Sequence, residues 1–441
     1  MKQQLLLFSL LIAVLFGCRK SNIDTVQAVS LSVQVGYSAG DSALGLSKAN
    51  IPVKLTNLVS GQENTANTNN DGIAVFTSIT PGNYTVSAAK NYTAEEFYAV
   101  TNVTVAGNVA YNGTETQAIN TNANVKLLLQ SGKIGDLVFK QIYYAGSHNK
   151  NGAAFRDEFV EIYNNSNQII YLDSLYFGST WQSNTKISAG GVPLDWSTSP
   201  GMPTNIGDPN KGYIYARYLF MIPGTGKDNP LEPGKSIIIA QTAVNHTAPY
   251  AIYDTVNGVI AMQGIVDPSL SIDLSNADFE TNLITYLGDK PYKWDVDNPK
   301  VKNVNVIHIR SGNDWIMEAT GREDFFMFKT KMPFPANNWP RYSVPGSPTS
   351  FCAQVKVADV IDAVEILTPL EVDRVPKRLP VSLDVSGTFV TGGAYSSQSL
   401  IRKTLKTVEG RRILQDTNNS ANDFETKVKA DPSKADASFQ K

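Results

Sequence analysis

From Asp157 to Gly178 the chain reads DEFVEIYNNSNQIIYLDSLYFG, and its side chains sort with a period of two. Phe159, Glu161 and Tyr163 interleave with Glu158, Val160 and Ile162. In an extended chain such neighbours point to opposite faces. Asn164-Asn165-Ser166-Asn167 follows; short polar side chains of this kind bond their own backbone and tolerate turns. Ile169 to Phe177 then resumes with branched and aromatic residues suited to a pleated surface. The stretch predicts two half-buried strands around a turn, a hairpin at the centre of a large β domain.

The same alternation recurs elsewhere, in Leu31, Val33, Val35 and Tyr37, in Val304 to Ile309, and in Ala358 to Ile366. Helical periodicity is scarce, with Ser397 to Val408 the one short candidate. With 441 residues and 42% hydrophobic content there is room for two or three domains with real cores. A formal net charge of −2 gives no electrostatic case for nucleic acid. Only Cys18 and Cys352 are present. Cys352, between Phe351 and Ala353, reads as a small buried hydrophobe.

The first seventeen residues carry Lys2 and then an apolar run from Leu5 to Phe16, too short to span a bilayer. Leu15-Phe16-Gly17-Cys18 resembles the lipobox of bacterial lipoproteins. The resemblance implies that residues 1–17 are a signal peptide and that Cys18 carries lipid, palmitate included. The expected location is the outer membrane, with the surface and the periplasmic face both open. Residues 18–28 are then a tether, and they lack the acidic run common in surface-exported relatives.

Asn69-Asn70-Asp71-Gly72 signals a tight turn, followed by Ile73-Ala74-Val75-Phe76, Ile79, Pro81-Gly82 and Tyr84-Thr85-Val86. This spacing resembles the carboxypeptidase-regulatory-like or transthyretin-like fold over about residues 29–105. The resemblance implies an immunoglobulin-like β-sandwich spacer without chemistry, with Val125 to Leu129 as its last strand and residues 29–131 as its extent. Further on, Asp136 to Tyr144, the central stretch, and Leu231-Glu232-Pro233-Gly234 before Ser236 to Ala240 look like the lamin-tail type of sandwich. Gln241 to His246 and Leu414 to Ser420 resemble a family of Bacteroidetes lipoproteins, the domain of unknown function family 4876. That likeness covers about residues 134–427 and implies a second sandwich over 132–427 with long loop insertions. Lipoproteins of this kind tend to accompany TonB-dependent transporters. Residues 428–441 are charged and rich in small side chains, which predicts a disordered tail. The fold class expected is all-β, as two β-sandwich domains.

Candidate chemistry is sparse. His148, His246 and His308 show no metal-ligand spacing, and no Gly-rich loop feeds a helix, so no cofactor is expected. Asp157, Glu158 and Glu161 cluster on the central stretch, and paired carboxylates can act as acid and base. Asp295-Val296-Asp297-Asn298 offers hard oxygens suited to calcium, with Asp295 and Asp297 as candidate ligands. Trp181, Trp196, Trp339 and Tyr342 fall in loops, where aromatic side chains can anchor sugars or protein partners. The favoured function is a non-catalytic binding or docking accessory that takes a glycan or peptide beside a TonB-dependent nutrient uptake system. The alternatives are an envelope hydrolase using the central carboxylates and a purely structural assembly factor.

Overall fold

In the computed structural model the described residues are 27–37, 44–102, 109–132, 136–180, 185–253, 260–290, 292–330, 335–408 and 410–439. Residues 1–17, Cys18, the tether up to residue 26 and Trp181 lie outside them. The fold is all-β, with several sheets packed as sandwiches.

The first seven strands are β1 (Val29–Tyr37), β2 (Pro52–Asn57), β3 (Glu63–Asn67), β4 (Ile73–Ile79), β5 (Gly82–Tyr92), β6 (Val109–Ile119) and β7 (Ala123–Gly132). They lie in the order β3-β2-β5-β6-β7-β1-β4. β1 runs parallel to β7 and antiparallel to β4. Its burial alternates strictly, with Val29, Leu31, Val33, Val35 and Tyr37 turned inward. These side chains meet Val53, Leu55, Phe76, Val86 and Leu127 in one core. Removing each such side chain from water contributes about 1.5–3 kcal/mol.

The turn before β4 is held by the Asn69 side-chain oxygen, which accepts from the amides of Asp71 and Ile73 at 3.0 and 2.9 Å. Gly72 has φ +80°, and a Cβ there would sit 2.7 Å from the Val35 carbonyl oxygen. Only glycine meets both conditions. The turn does not close a hairpin, because β3 pairs with β2 and β4 with β1.

Helix α1 (Ala94–Thr101) has no counterpart in the sequence reading, although its start carries a reciprocal cap. The Thr93 side chain accepts from the Glu96 amide, and the Glu96 carboxylate accepts from the Thr93 amide. The stretch expected to be helical, Ser397 to Val408, holds the strands Ser399–Arg402 and Thr404–Val408 instead. The first is buried throughout, on both faces, and this imitates a helical stripe.

Beyond residue 136 two seven-stranded sheets face each other. The strands that organise them are β8 (Leu137–Tyr143), β9 (Phe159–Asn164), β11 (Tyr176–Thr180), β12 (Tyr213–Met221) and β14 (Ser236–Ala240), while β10 (Ile170–Tyr171) and β13 (Pro230–Leu231) pair as a separate two-stranded sheet. One sheet runs Lys302–Asn303, Phe279–Glu280, β14, β9, β8, Ser399–Arg402, Phe424–Lys427. The other runs Arg341–Val344, Ser347–Lys356, β12, β11, Asp324–Phe328, Val360–Glu365, with Asn305–Ile309 also on β12. Val160, Ile162, Phe177, Phe220 and Phe325 fill the space between them.

The central stretch differs from its expected form in two ways. β9 is buried on both faces, not one. Val160 and Ile162 face the other sheet, while Phe159 packs outward with Tyr143 and Ile238. The stretch is also not a hairpin. β9 pairs with β8 and β14, whereas β11 belongs to the opposite sheet and pairs with β12 and Asp324–Phe328. Leu172 and Leu175 are completely buried between the sheets, so the chain crosses the core where a hairpin would turn back.

Residues 428–439 are also not a disordered tail. They run over the outer face of the β8–β9 sheet. Ala430 and Ser438 are buried, and the Phe439 ring lies 5.7 Å edge-on to Tyr163. The cause is a β-bulge. β8 places one extra residue, Lys140, between Phe139 and Gln141, on a face that is fully buried. Its ammonium needs acceptors, and the C-terminal segment supplies the Ser438 hydroxyl at 2.7 Å and the Phe439 ring face at 3.7 Å.

Candidate functional site

Glu161 is on β9 and Glu158 immediately precedes it, three positions away; the spacing is odd, and so they face opposite sides of the sheet. Glu161 is on the outer face, completely buried. Its Oε1 accepts from Lys140 Nζ at 2.8 Å and from the Ser236 hydroxyl, and its Oε2 from Gln141 Nε2 at 3.3 Å. Glu158 points between the sheets, where its Oε2 accepts from the Met317 amide at 3.0 Å. Burial pushes its carboxyl well above the usual range, the Met317 amide pulls the other way, and Asp157 adds to the rise. A glycosidase-type pair needs two carboxyls flanking one bond, about 5–9.5 Å apart. These two flank a β-sheet.

Asp157 is completely buried, and burial pushes its carboxyl up to about 7. The Ser147 hydroxyl and the Ser147 and Ile272 amides pull it down, yet neither carboxyl oxygen makes a hydrogen bond of good geometry.

The calcium expectation is corrected by where its two ligands point. Asp295 is buried and closes a loop, its Oδ2 accepting from the Leu283 amide at 2.7 Å. Burial, and then Asp314, push it up to about 8. Asp297 is exposed and receives Asn303 Nδ2 at 2.6 Å. Among the described residues no three acidic, histidine or cysteine side chains group so as to hold a metal ion.

The described loop aromatics, Trp196, Trp339 and Tyr342, are packing residues. Trp196 is buried and stacks on Tyr215 with centroids 3.7 Å apart and planes 5° from parallel. Its neighbours include Val344 and the buried Cys352. Trp339 is 5% exposed, lies beside Tyr176 and Phe328, and donates from Nε1 to the Gln354 carbonyl at 2.9 Å. Tyr342 is half-buried against the same cluster as Trp196. Flanking prolines and glycines made these segments read as display loops, but a large ring in a long loop is what lets the loop pack.

A different aromatic group surrounds Arg156. Its guanidinium carbon lies 4.5 Å from the Phe155 ring centre, 5.3 Å from Trp294 and 5.9 Å from Tyr292. Asp314 pairs with it from below. Sequence reasoning missed this group, because its members are scattered along the chain, at Phe155 and Arg156, Tyr292 and Trp294, and Asp314. The cage is filled by the chain's own cation, so it ties two loops together.

The described surface also holds an open cleft of about 520 Å³ over β14. One wall is the loop Ser271 to Ala277 and the other is the C-terminal run Lys429 to Lys434. Ile238, Ile272, Leu274, Ala430 and Pro432 make the floor aliphatic. The walls are held by their own bonds. The Asn245↔Asp273 bridge and the Leu274 amide on the Val244 carbonyl fix the loop. The Ala430 amide on the Ser397 carbonyl and the Asp431 amide on Gln141 Oε1 (3.0 Å) fix the other side. Sequence reasoning misses the cleft because one wall has the composition of a disordered tail. The available signal was Phe439, an aromatic ring in an otherwise polar terminus.

A family model described as "Protein of unknown function (DUF4876)" matches residues 232–431. A crystal structure of a DUF4876 family protein from Bacteroides thetaiotaomicron VPI-5482 is 25% identical, with a TM-score of 0.50. The match covers 90% of this chain and 94% of that one. A DUF3823 family protein from Bacteroides ovatus ATCC 8483 is 11% identical with a TM-score of 0.16, covering 48% of this chain and 98% of that one. A likeness that low has no weight. No curated protein matches the chain. The chain is therefore similar, over nearly its whole length, to a solved DUF4876 protein whose family name carries no activity.

Proposed function

We propose that this chain is a non-catalytic binding accessory, held at the outer membrane by lipid on Cys18 and working beside a TonB-dependent nutrient transporter. The observation that carries the binding reading is a contrast within one sheet. Glu158, just before β9, and Glu161 within it are buried, face opposite sides, and are bonded by Lys140, Ser236, Gln141 and the Met317 amide. The open space lies elsewhere, in the 520 Å³ cleft walled by a loop and the C-terminal segment. A rigid sandwich that presents a cleft between loops suits capture, because little ordering entropy is lost on binding. The membrane part of the proposal is supported by the Leu15-Phe16-Gly17-Cys18 pattern, and the transporter part by the family resemblance.

Cells expressing the chain and its Cys18→Ser variant, fed an alkyne-bearing fatty acid, test the anchor. Label should appear on the first only, in the outer-membrane fraction. Affinity capture from detergent-solubilised outer membrane should recover a TonB-dependent transporter. Turnover of a glycan or peptide panel that is lost in both Glu158→Gln and Glu161→Gln would overturn the non-catalytic reading.

A further inference from the structure

We propose that the cleft between Ser271–Ala277 and Lys429–Lys434 takes short peptides with free termini. The inference rests on the binding reading above and names its ligand. The cleft's 520 Å³ lies in the range of small-ligand sites, about 300–1,000 Å³, and suits about two to four residues.

Three features select a peptide. First, the floor of Ile238, Ile272, Leu274, Ala430 and Pro432 is aliphatic, and among the described residues no lining residue is aromatic. A sugar ring gains most of its contact by stacking on a flat ring face, which this cleft lacks. A leucine or valine side chain instead finds a floor of its own kind.

Second, the lining carries charge of both signs. Lys434 is already balanced, donating to both Asp278 oxygens at 2.9 and 3.0 Å. Lys429 donates to the Ser269 carbonyl at 2.6 Å and lies near the Asp267 carboxylate, which the Ser269 hydroxyl and, more weakly, Lys429 hold below its usual range, and its ammonium has further N–H donors to offer. Across from it, Asp273 receives both the Ser275 amide and the Ser275 hydroxyl on Oδ1. Asp431 shares the Lys429 side, with its Oδ1 taken by the Ser433 amide. A zwitterion with its α-carboxylate at Lys429 and its α-ammonium at Asp273 matches this polarity.

Third, Asn276, Thr247 and Ser433 line the same space, so the peptide amides would meet hydroxyl and amide partners.

The test is calorimetry on the full-length chain in detergent with three probes: the tripeptide Ala-Leu-Ala, the same tripeptide acetylated and amidated at its ends, and maltotriose. Saturable binding of the free tripeptide is expected, with the blocked form weaker by about tenfold or more, the equivalent of 1.4 kcal/mol. Ser433→Trp, which fills the cleft mouth, should abolish binding, and Lys429→Gln, an exposed and milder change, should weaken it several-fold. Equal affinity for free and blocked peptide would overturn the proposal, as would undiminished binding in both variants with circular dichroism unchanged. Maltotriose binding that Ser433→Trp removes would overturn the peptide assignment and leave the binding reading standing. No heat from any probe would also overturn it, and transporter capture then decides the broader reading.

Discussion

Substituting Glu161 by Gln should cost far more stability than the loss of one hydrogen bond. Lys140 Nζ and the Glu161 carboxylate are 2.8 Å apart, and both side chains are completely buried. The substitution keeps shape and most hydrogen bonds but removes the only full negative charge bonded to a sealed ammonium. Breaking a buried pair this way costs about 3–5 kcal/mol, because one charge stays uncompensated. An exposed pair would show about 0–1 kcal/mol. Burial already lowers the Lys140 pKa, and Glu161 is the main opposing influence. Without Glu161 it falls further. Between the folded and unfolded pKa the unfolded chain binds the extra proton, so stability rises with pH there. The deficit of the variant should therefore shrink as pH is raised from 7 towards 10. Urea unfolding of the parent, Glu161→Gln, and the double variant Lys140→Met with Glu161→Leu measures all three. The double variant should recover much of the loss, because it removes both charges together. A Glu161→Gln loss below about 1 kcal/mol at pH 7, with the slope m unchanged, would refute the reasoning.

Phe439→Ala should destabilise by about 1–3 kcal/mol, since the ring is partly buried and covers Lys140 at 3.7 Å; unfolding that matches the parent within 0.5 kcal/mol, as for an ordinary surface change, would count against a packed C-terminus. Asp157 has a folded-state pKa pushed up to about 7, above its unfolded value. Its protonated form is favoured in the fold, so its contribution is fully present below about pH 4 and is lost as pH rises towards 7. Asp157→Asn should flatten that part of the stability–pH curve, and an unchanged curve would refute the shift. Chelation with EDTA should leave Tm unchanged, because Asp295 and Asp297 serve separate loop contacts; a drop of several degrees, reversed by calcium, would show a metal site.

The β character was legible because alternation is local. β1 displays it without exception, and its partner β4 departs from it only at Thr77 and Ser78, where the pairing register shifts. Pairing was not legible, because it depends on which core takes each side chain. The stretch from Phe159 to Phe177 contains every signal of a hairpin, including four polar turn residues. What sends it across to the other sheet is the burial of Leu172 and Leu175 between the sheets, and a row of letters does not show which of two cores a leucine will join. The helix at Ala94 could have been read from Thr93 and Glu96, three positions apart, without any tertiary knowledge.

At the site, too, local properties are legible in the sequence and non-local ones are not. Parity is a local property, and positions 158 and 161 differ by an odd number, so sequence alone places these two carboxylates on opposite faces of any regular strand. That arithmetic bears against a shared acid–base role before any coordinate is known. The cleft depends on a non-local fact. Its C-terminal wall exists because a bulge in β8 buries Lys140, and a buried ammonium needs acceptors that its own sheet supplies only in part. Ser438, 298 positions later, completes the set and draws the segment over the sheet. A charged, small-residue terminus looks unable to fold by its own composition. It is ordered here by a demand made elsewhere in the chain, and the space left between it and the Ser271 loop is the cleft.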